Sequence, residues 1–66
     1  MIIYVNEKPY TVDEGITLAA FMQSIGIKPQ GVAVAVAYEV IPQKRWEETV
    51  LTDKIELMLI HAVSGG

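Results

Sequence analysis

The sequence predicts an α+β fold in which one helix covers one face of a single sheet. Two observations point that way. Several short runs are rich in β-branched and aromatic residues and are bounded by turn residues. Only one stretch, residues 17–25, repeats its apolar residues at helical spacing. The element order reads β-β-α-β-β-β, with no repeat, no low-complexity segment and no linker.

The first run, "MIIYVN" at residues 1–6, reads as a strand. "NEKP" at 6–9 reads as a turn punctuated by Asn6 and Pro9, and "YTVD" at 10–13 as a second strand, which makes a hairpin. Gly15 breaks that pattern. Thr17 stands where an N-cap belongs, its hydroxyl placed to accept a backbone N–H. Leu18, Phe21, Met22 and Ile25 then form one apolar stripe. Gly26 suits the left-handed residue after a helix, and Pro29 stops any continuation. A helix over 17–25 is too short to be stable alone, so it must lie on the sheet.

"GVAVAVAYEVIP" at 31–42 predicts a strand at 32–37, a tight turn near Tyr38 and Glu39, and a short strand at 40–42 that Pro42 ends at a sheet edge. "QKRWEET" at 43–49 predicts a loop or a single helical turn around Trp46, and "LTDK" at 51–54 a turn. "IELMLIHAV" at 55–63 is the last strand. Its alternation sets Ile55, Leu57, Leu59 and His61 on one face and Glu56, Met58, Ile60 and Ala62 on the other. Both faces are largely apolar, which suits a central strand. Glu56 marks the second face as the wetter one, so Ile55, Leu57 and Leu59 are expected to meet the helix. Met58, Ile60 and Ala62 are then expected on an uncovered side, either as scattered surface apolars or as a docking face.

At 66 residues the chain makes one domain, read as a folded unit over 1–62 and a flexible tail over 63–66. Such a domain buries only about 60% of its unfolded surface. With 52% hydrophobic residues there is more apolar surface than the interior can hold, which again points to a contact face. The net charge is −3, and Lys44 and Arg45 are the only adjacent basic pair. That balance does not fit nucleic-acid binding and favours a partner with a basic face. No run is long enough for a membrane span and no signal-peptide pattern is present, so a cytoplasmic location is expected.

The residues that carry chemistry are few. There is no cysteine, which excludes a thiol nucleophile, a persulfide on this chain and a Cys-based metal site. His61 is the only histidine, and Ser24 and Ser64 are the only serines. A Ser64–His61 pair has no orienting carboxylate and no oxyanion hole. Asp13, Glu14, Glu39, Glu47, Glu48, Asp53 and Glu56 are spread over turns and loops and read as a solvated surface. Trp46 reads as a core plug or as part of a binding patch. Gly15, Gly26 and Gly31 fit turns and lack a phosphate-cradling spacing.

The remaining signal is the tail Val63, Ser64, Gly65, Gly66. Two terminal glycines occur by chance in roughly one chain in 200. A glycine carboxylate with no neighbouring β-carbon can be threaded into a narrow active site, and Gly65 lets the approach take almost any backbone angle. Conversion of the carboxylate to a mixed anhydride with AMP would supply a leaving group. The tail would then be a handle for acyl transfer carried out by a partner enzyme.

The segments "MIIYVNEKPY", "GITLAAFM", "VAVA…VIP" followed by Trp46, and "IHAVSGG" together resemble the ThiS family of sulfur carriers within the ubiquitin-like β-grasp superfamily. The likeness spans the whole chain. It departs from the family pattern at Ala37 and Tyr38, at Gln43 and at Ile55. The resemblance implies a mixed sheet with one helix on one face. It also implies a role in thiamine (thiazole) biosynthesis. In that role a ThiF-like E1-type enzyme uses ATP and Mg²⁺ to adenylate the Gly66 carboxylate. A sulfur donor such as a cysteine desulfurase supports conversion to a thiocarboxylate, which delivers sulfur to a ThiG-like thiazole synthase. The carrier itself is then not an enzyme and holds no cofactor. A carrier for another pathway, such as molybdopterin or cysteine synthesis, and a ubiquitin-like protein modifier are the other readings.

Overall fold

The computed structural model describes residues 1–27 and 31–61. The β-branched opening forms β1 (Ile2–Val5) and β2 (Lys8–Thr11), followed by α1 (Leu18–Ser24), β3 (Val32–Val36), β4 (Glu39–Ile41), a single 3₁₀ turn at Gln43–Arg45, and β5 (Glu56–His61). The strands lie in the order β2-β1-β5-β3-β4, so the last strand is central, as its two apolar faces predict. β1 and β5 run parallel and every other pair is antiparallel, which makes the sheet mixed.

The first hairpin turn is tighter than the sequence suggests, and the second is displaced by one residue. The first is made by Asn6 and Glu7 alone, at φ 49° and 72°, rather than by residues 6–9. The second is made by Ala37 and Tyr38, at φ 51° and 70°, one residue earlier than expected. Two consecutive left-handed residues give the turn whose twist matches that of the flanking strands. None of these four residues is glycine, so the usual sequence signal is absent.

The shorter first turn moves β2 to Lys8–Thr11 from the expected 10–13 and places Pro9 inside a strand, opposite Tyr4. Met1 and Val12 exchange both backbone bonds at 2.9 Å. Bonded and non-bonded pairs alternate along an antiparallel ladder, so Pro9 falls at a non-bonded pair. Its missing N–H points to the free edge of the sheet and costs no ladder bond.

The apolar stripe of α1 packs as its spacing predicts. Leu18, Phe21 and Met22 are buried against Ile3, Val5, Val34, Val36 and Leu57 from the sheet, with Ile25 partly buried beside them. Tyr10 meets Phe21 edge to face at 5.6 Å between ring centroids. Trp46 and Leu51 close the core from the long loop before β5. Trp46 is the core plug: it is 4% exposed and its Nε1 donates to the Ile41 carbonyl at 2.9 Å.

Both ends of α1 are satisfied locally. Thr17 Oγ1 accepts from the Ala20 N–H at 3.1 Å, the expected cap. The Leu18 and Ala19 N–H groups donate to the carbonyls of Thr49 and Trp46, so the long loop completes the first turn. At the other end Gly26 (φ 73°) donates to Gln23 and Ile27 donates to Met22, which together form a Schellman motif.

Candidate functional site

The helix covers one face of the sheet and leaves the other open. Register assigns the residues of the open face. Val5, Val36 and Leu57 lie on the core side, so their neighbours Tyr4, Ala35, Glu56 and Met58 lie on the other. Ala35 is paired with Met58 on one side and Val40 on the other, and Ala33 with Ile60. An apolar row therefore runs Val40–Ala35–Met58 across three strands, with Ala33–Ile60 next to it. Met58 and Ile60 are 48% and 46% exposed, whereas Leu57 is buried and Ile55 and Leu59 pack against the core. The predicted faces of β5 are thus the observed ones for residues 55–60. Ala62 and the tail residues Val63, Ser64, Gly65 and Gly66 lie outside the described residues, as does the side chain of His61.

Small residues on β3 shape this surface. Ala35 sits between the larger side chains of Val40 on β4 and Met58 on β5, and Ala33 lies beside Ile60, so the middle of the face is low. A shallow dent of about 110 Å³ is lined by Asn6, Glu7, Ala35, Tyr38, Glu56, Leu57 and Met58. The charged groups at its rim are the carboxylates of Glu7 and Glu56. The Tyr38 hydroxyl donates to Glu56 Oε2 at 3.4 Å. An apolar surface with an acidic edge suits a partner that presents apolar side chains beside basic ones.

Side chains complete the β1–β5 ladder at both ends. At its start the Ile2 N–H donates to Asp53 Oδ1 at 3.0 Å. At its far end Asn6 Oδ1 accepts from the Leu59 N–H at 2.9 Å, and Asn6 Nδ2 donates to the Leu59 carbonyl at 3.4 Å. The sequence reading gave Asn6 only a turn role and did not place Val40 on the open face. Both assignments depend on register, which pairs residues far apart in the chain.

No constellation for catalysis appears among the described residues. None of their Asp and Glu side chains gather into a group that could hold a metal ion, and none of the described residues is a buried polar or charged one. A larger cleft of about 460 Å³ lies on the helix side between α1 and Trp46, lined mostly by Ala19, Met22, Ile27 and Trp46, with Glu47 the one ionisable residue among the described lining residues. No described helix is long and apolar enough to cross a membrane.

A mixed sheet in this order, with one helix on one face and its central strand leading toward a Gly-Gly, defines a ubiquitin-like β-grasp domain. Within that class the chain belongs to the ThiS family, whose model matches residues 3–66. The crystal structure of the thiamine biosynthesis protein ThiS from Geobacter metallireducens is similar at a TM-score of 0.85 and 25% identity, covering 100% of both chains. An NMR solution structure of a thiamine biosynthesis protein from Geobacter metallireducens is similar at a TM-score of 0.77 and 25% identity, covering 100% of this chain and 88% of that one. No curated protein matches the chain.

Proposed function

We propose that this chain is a sulfur carrier for thiamine (thiazole) biosynthesis, with the Gly66 carboxylate as the carrying group. The observation that supports this most directly is the family match, which runs through Gly66. The chemistry of the chain fits. With no cysteine in the sequence, no side-chain thiol is available to hold sulfur, and a terminal carboxylate is.

The carboxylate of Gly66 attacks the α-phosphorus of ATP in the active site of a ThiF-like E1-type enzyme. Pyrophosphate leaves and an acyl adenylate remains. The outer sulfur of a persulfide, supplied by a donor such as a cysteine desulfurase, attacks the acyl carbon and expels AMP to form an acyl disulfide. A thiol then attacks the donor's sulfur of that S–S bond, is itself oxidised to a disulfide, and releases the thiocarboxylate. That group then gives its sulfur to a ThiG-like thiazole synthase. ATP and Mg²⁺ belong to the adenylating partner, and the carrier is a co-substrate rather than an enzyme. These steps take place in the cytoplasm. Val63, Ser64 and Gly65 form the arm that enters the partner, and the open face at Met58, Ile60 and Ala62 is the surface on which the partner docks.

Intact mass spectrometry tests the reading. Incubated with its adenylating enzyme, ATP, Mg²⁺ and a sulfur source, the chain gains the mass of one oxygen-to-sulfur replacement, and a variant lacking Gly66 does not. ATP turnover by an intact partner with no such gain on the wild-type chain rejects the proposal. A covalent lysine adduct in its place identifies a protein modifier.

A further inference from the structure

The parallel pairing of β1 with β5 ends at Val5 and Leu57, because the chain turns away at Asn6 to begin β2. β5 continues to His61, paired on its other side with β3 up to Val32. Backbone groups alternate sides along a strand. The Asn6 N–H donates to the Leu57 carbonyl, and the Ala37 N–H donates to the Glu56 carbonyl. The N–H and C=O of Leu59 therefore face the β1 side, where no strand remains to meet them. The Asn6 carboxamide meets both, at 2.9 Å and 3.4 Å.

We propose that Asn6 is a positioning residue for the C-terminal segment: its side chain stands in for one further peptide unit of β1 and holds the β1-side edge of β5 at Leu59, so that the strand is pinned on both sides near its end. The inference rests on the proposed role of Gly66. Two demands converge on this position. The backbone is left-handed at φ 49°, which asparagine tolerates better than most residues. The partner groups are one donor and one acceptor, which a carboxamide matches with two separate atoms and an ionised carboxylate, an acceptor only, does not.

Leu59 lies seven residues before Gly66. Without the clamp, the last anchor on this side of β5 moves back to Leu57, nine residues before Gly66. From Leu57 onward β5 is then held by β3 alone, and its end can twist about that edge. More conformational freedom is lost when the segment that follows enters a partner's active site. Asn6 also lines the dent beside Met58, so the same residue joins the docking face to the direction of the tail.

The test uses Asn6→Gly, which keeps the left-handed turn and removes only the carboxamide. Amide hydrogen exchange on the free protein is read at Leu59, with Ile60, whose N–H faces β3, and Ile3 as internal controls. Expected is a loss of protection of about tenfold at Leu59, with the controls unchanged. Unchanged protection at Leu59, or an equal loss at all three amides, overturns the clamp. In the adenylation assay the variant shows a KM for the carrier raised several-fold with kcat within about twofold, since an arm already seated reacts as before. Wild-type kinetics in a variant that has lost Leu59 protection overturn the positioning role. Asn6→Asp keeps one of the two bonds and falls between the two proteins in both measurements. A wild-type chain that is not adenylated at all rejects the sulfur-carrier reading and, with it, the consequence for transfer. The exchange measurement decides the clamp separately.

Discussion

Single residues carry more backbone strain here than their identities suggest. Ala37 and Tyr38 both hold left-handed φ values in the second hairpin turn, a conformation that favours Asn and Gly. Tyr38 is 85% exposed and its one side-chain bond is long, so little packing compensates. Replacing the pair by Ala37→Asn and Tyr38→Gly is expected to stabilise the fold by about 1 kcal/mol, read as a higher urea midpoint at unchanged slope. A lower midpoint would show that the turn is not the one described. These same residues explain the one-residue displacement of the expected turn. Lacking a glycine, the stretch offers no local marker, and the pairing of Val36 with Glu39 decides it. Gly26 is the opposite case. It lies one residue past the C-cap Ile25, its left-handed φ is what the Schellman motif requires, and the residue type was legible in advance.

At the scale of elements, β5 is the informative strand. It has a core face, an open face, and two different edges. Its faces were readable because side chains alternate strictly and Glu56 breaks the symmetry between two apolar sets. Its edges were not, because the sequence of a strand does not state which neighbour lies on which side. Lys substitutions separate the two faces. Met58→Lys and Ile60→Lys are expected to weaken binding of the adenylating partner by about tenfold or more each, measured by titration calorimetry. The same variants should lose no more than about 1 kcal/mol in urea unfolding, since both positions are half exposed. Intact binding with a large stability loss would mean that the faces of β5 are reversed. Asn6 and Asp53 belong to this scale as well, because each extends the β1–β5 ladder from a position that local reading assigns only to a turn.

For the molecule as a whole, the core is thin. Among the described residues ten buried ones form it, and two of them, Trp46 and Leu51, come from the loop rather than from a strand or helix. A domain of this size is stable by only about 3–10 kcal/mol. Truncating a buried Trp costs about 3–5 kcal/mol, so Trp46→Ala is expected to remove a large share of that stability, read by circular dichroism as a much lower urea midpoint. A native spectrum with a cooperative urea transition close to wild type would show that the loop is dispensable. The loop also caps the helix through Trp46 and Thr49, so its loss is felt at both the core and the N-terminus of α1.

Sequence alone determined the class of fold, the helix with its cap and stop, and the central strand with its two faces, and it put forward the tail as the candidate group. Each of these follows from local chemistry: side-chain periodicity, the φ preferences of glycine, the hydroxyl of Thr17, and the absence of cysteine. Only the tertiary structure decided the turn residues, the place of Pro9 within an edge strand, and the row Val40–Ala35–Met58 on the open face. The pairing of the Asn6 carboxamide with Leu59, 53 residues further along the chain, was decided there too. The physical reason is the same in every case. Hydrogen-bond register between strands is a long-range property, set by how the hydrophobic faces align when the core closes, and no window of sequence contains both partners.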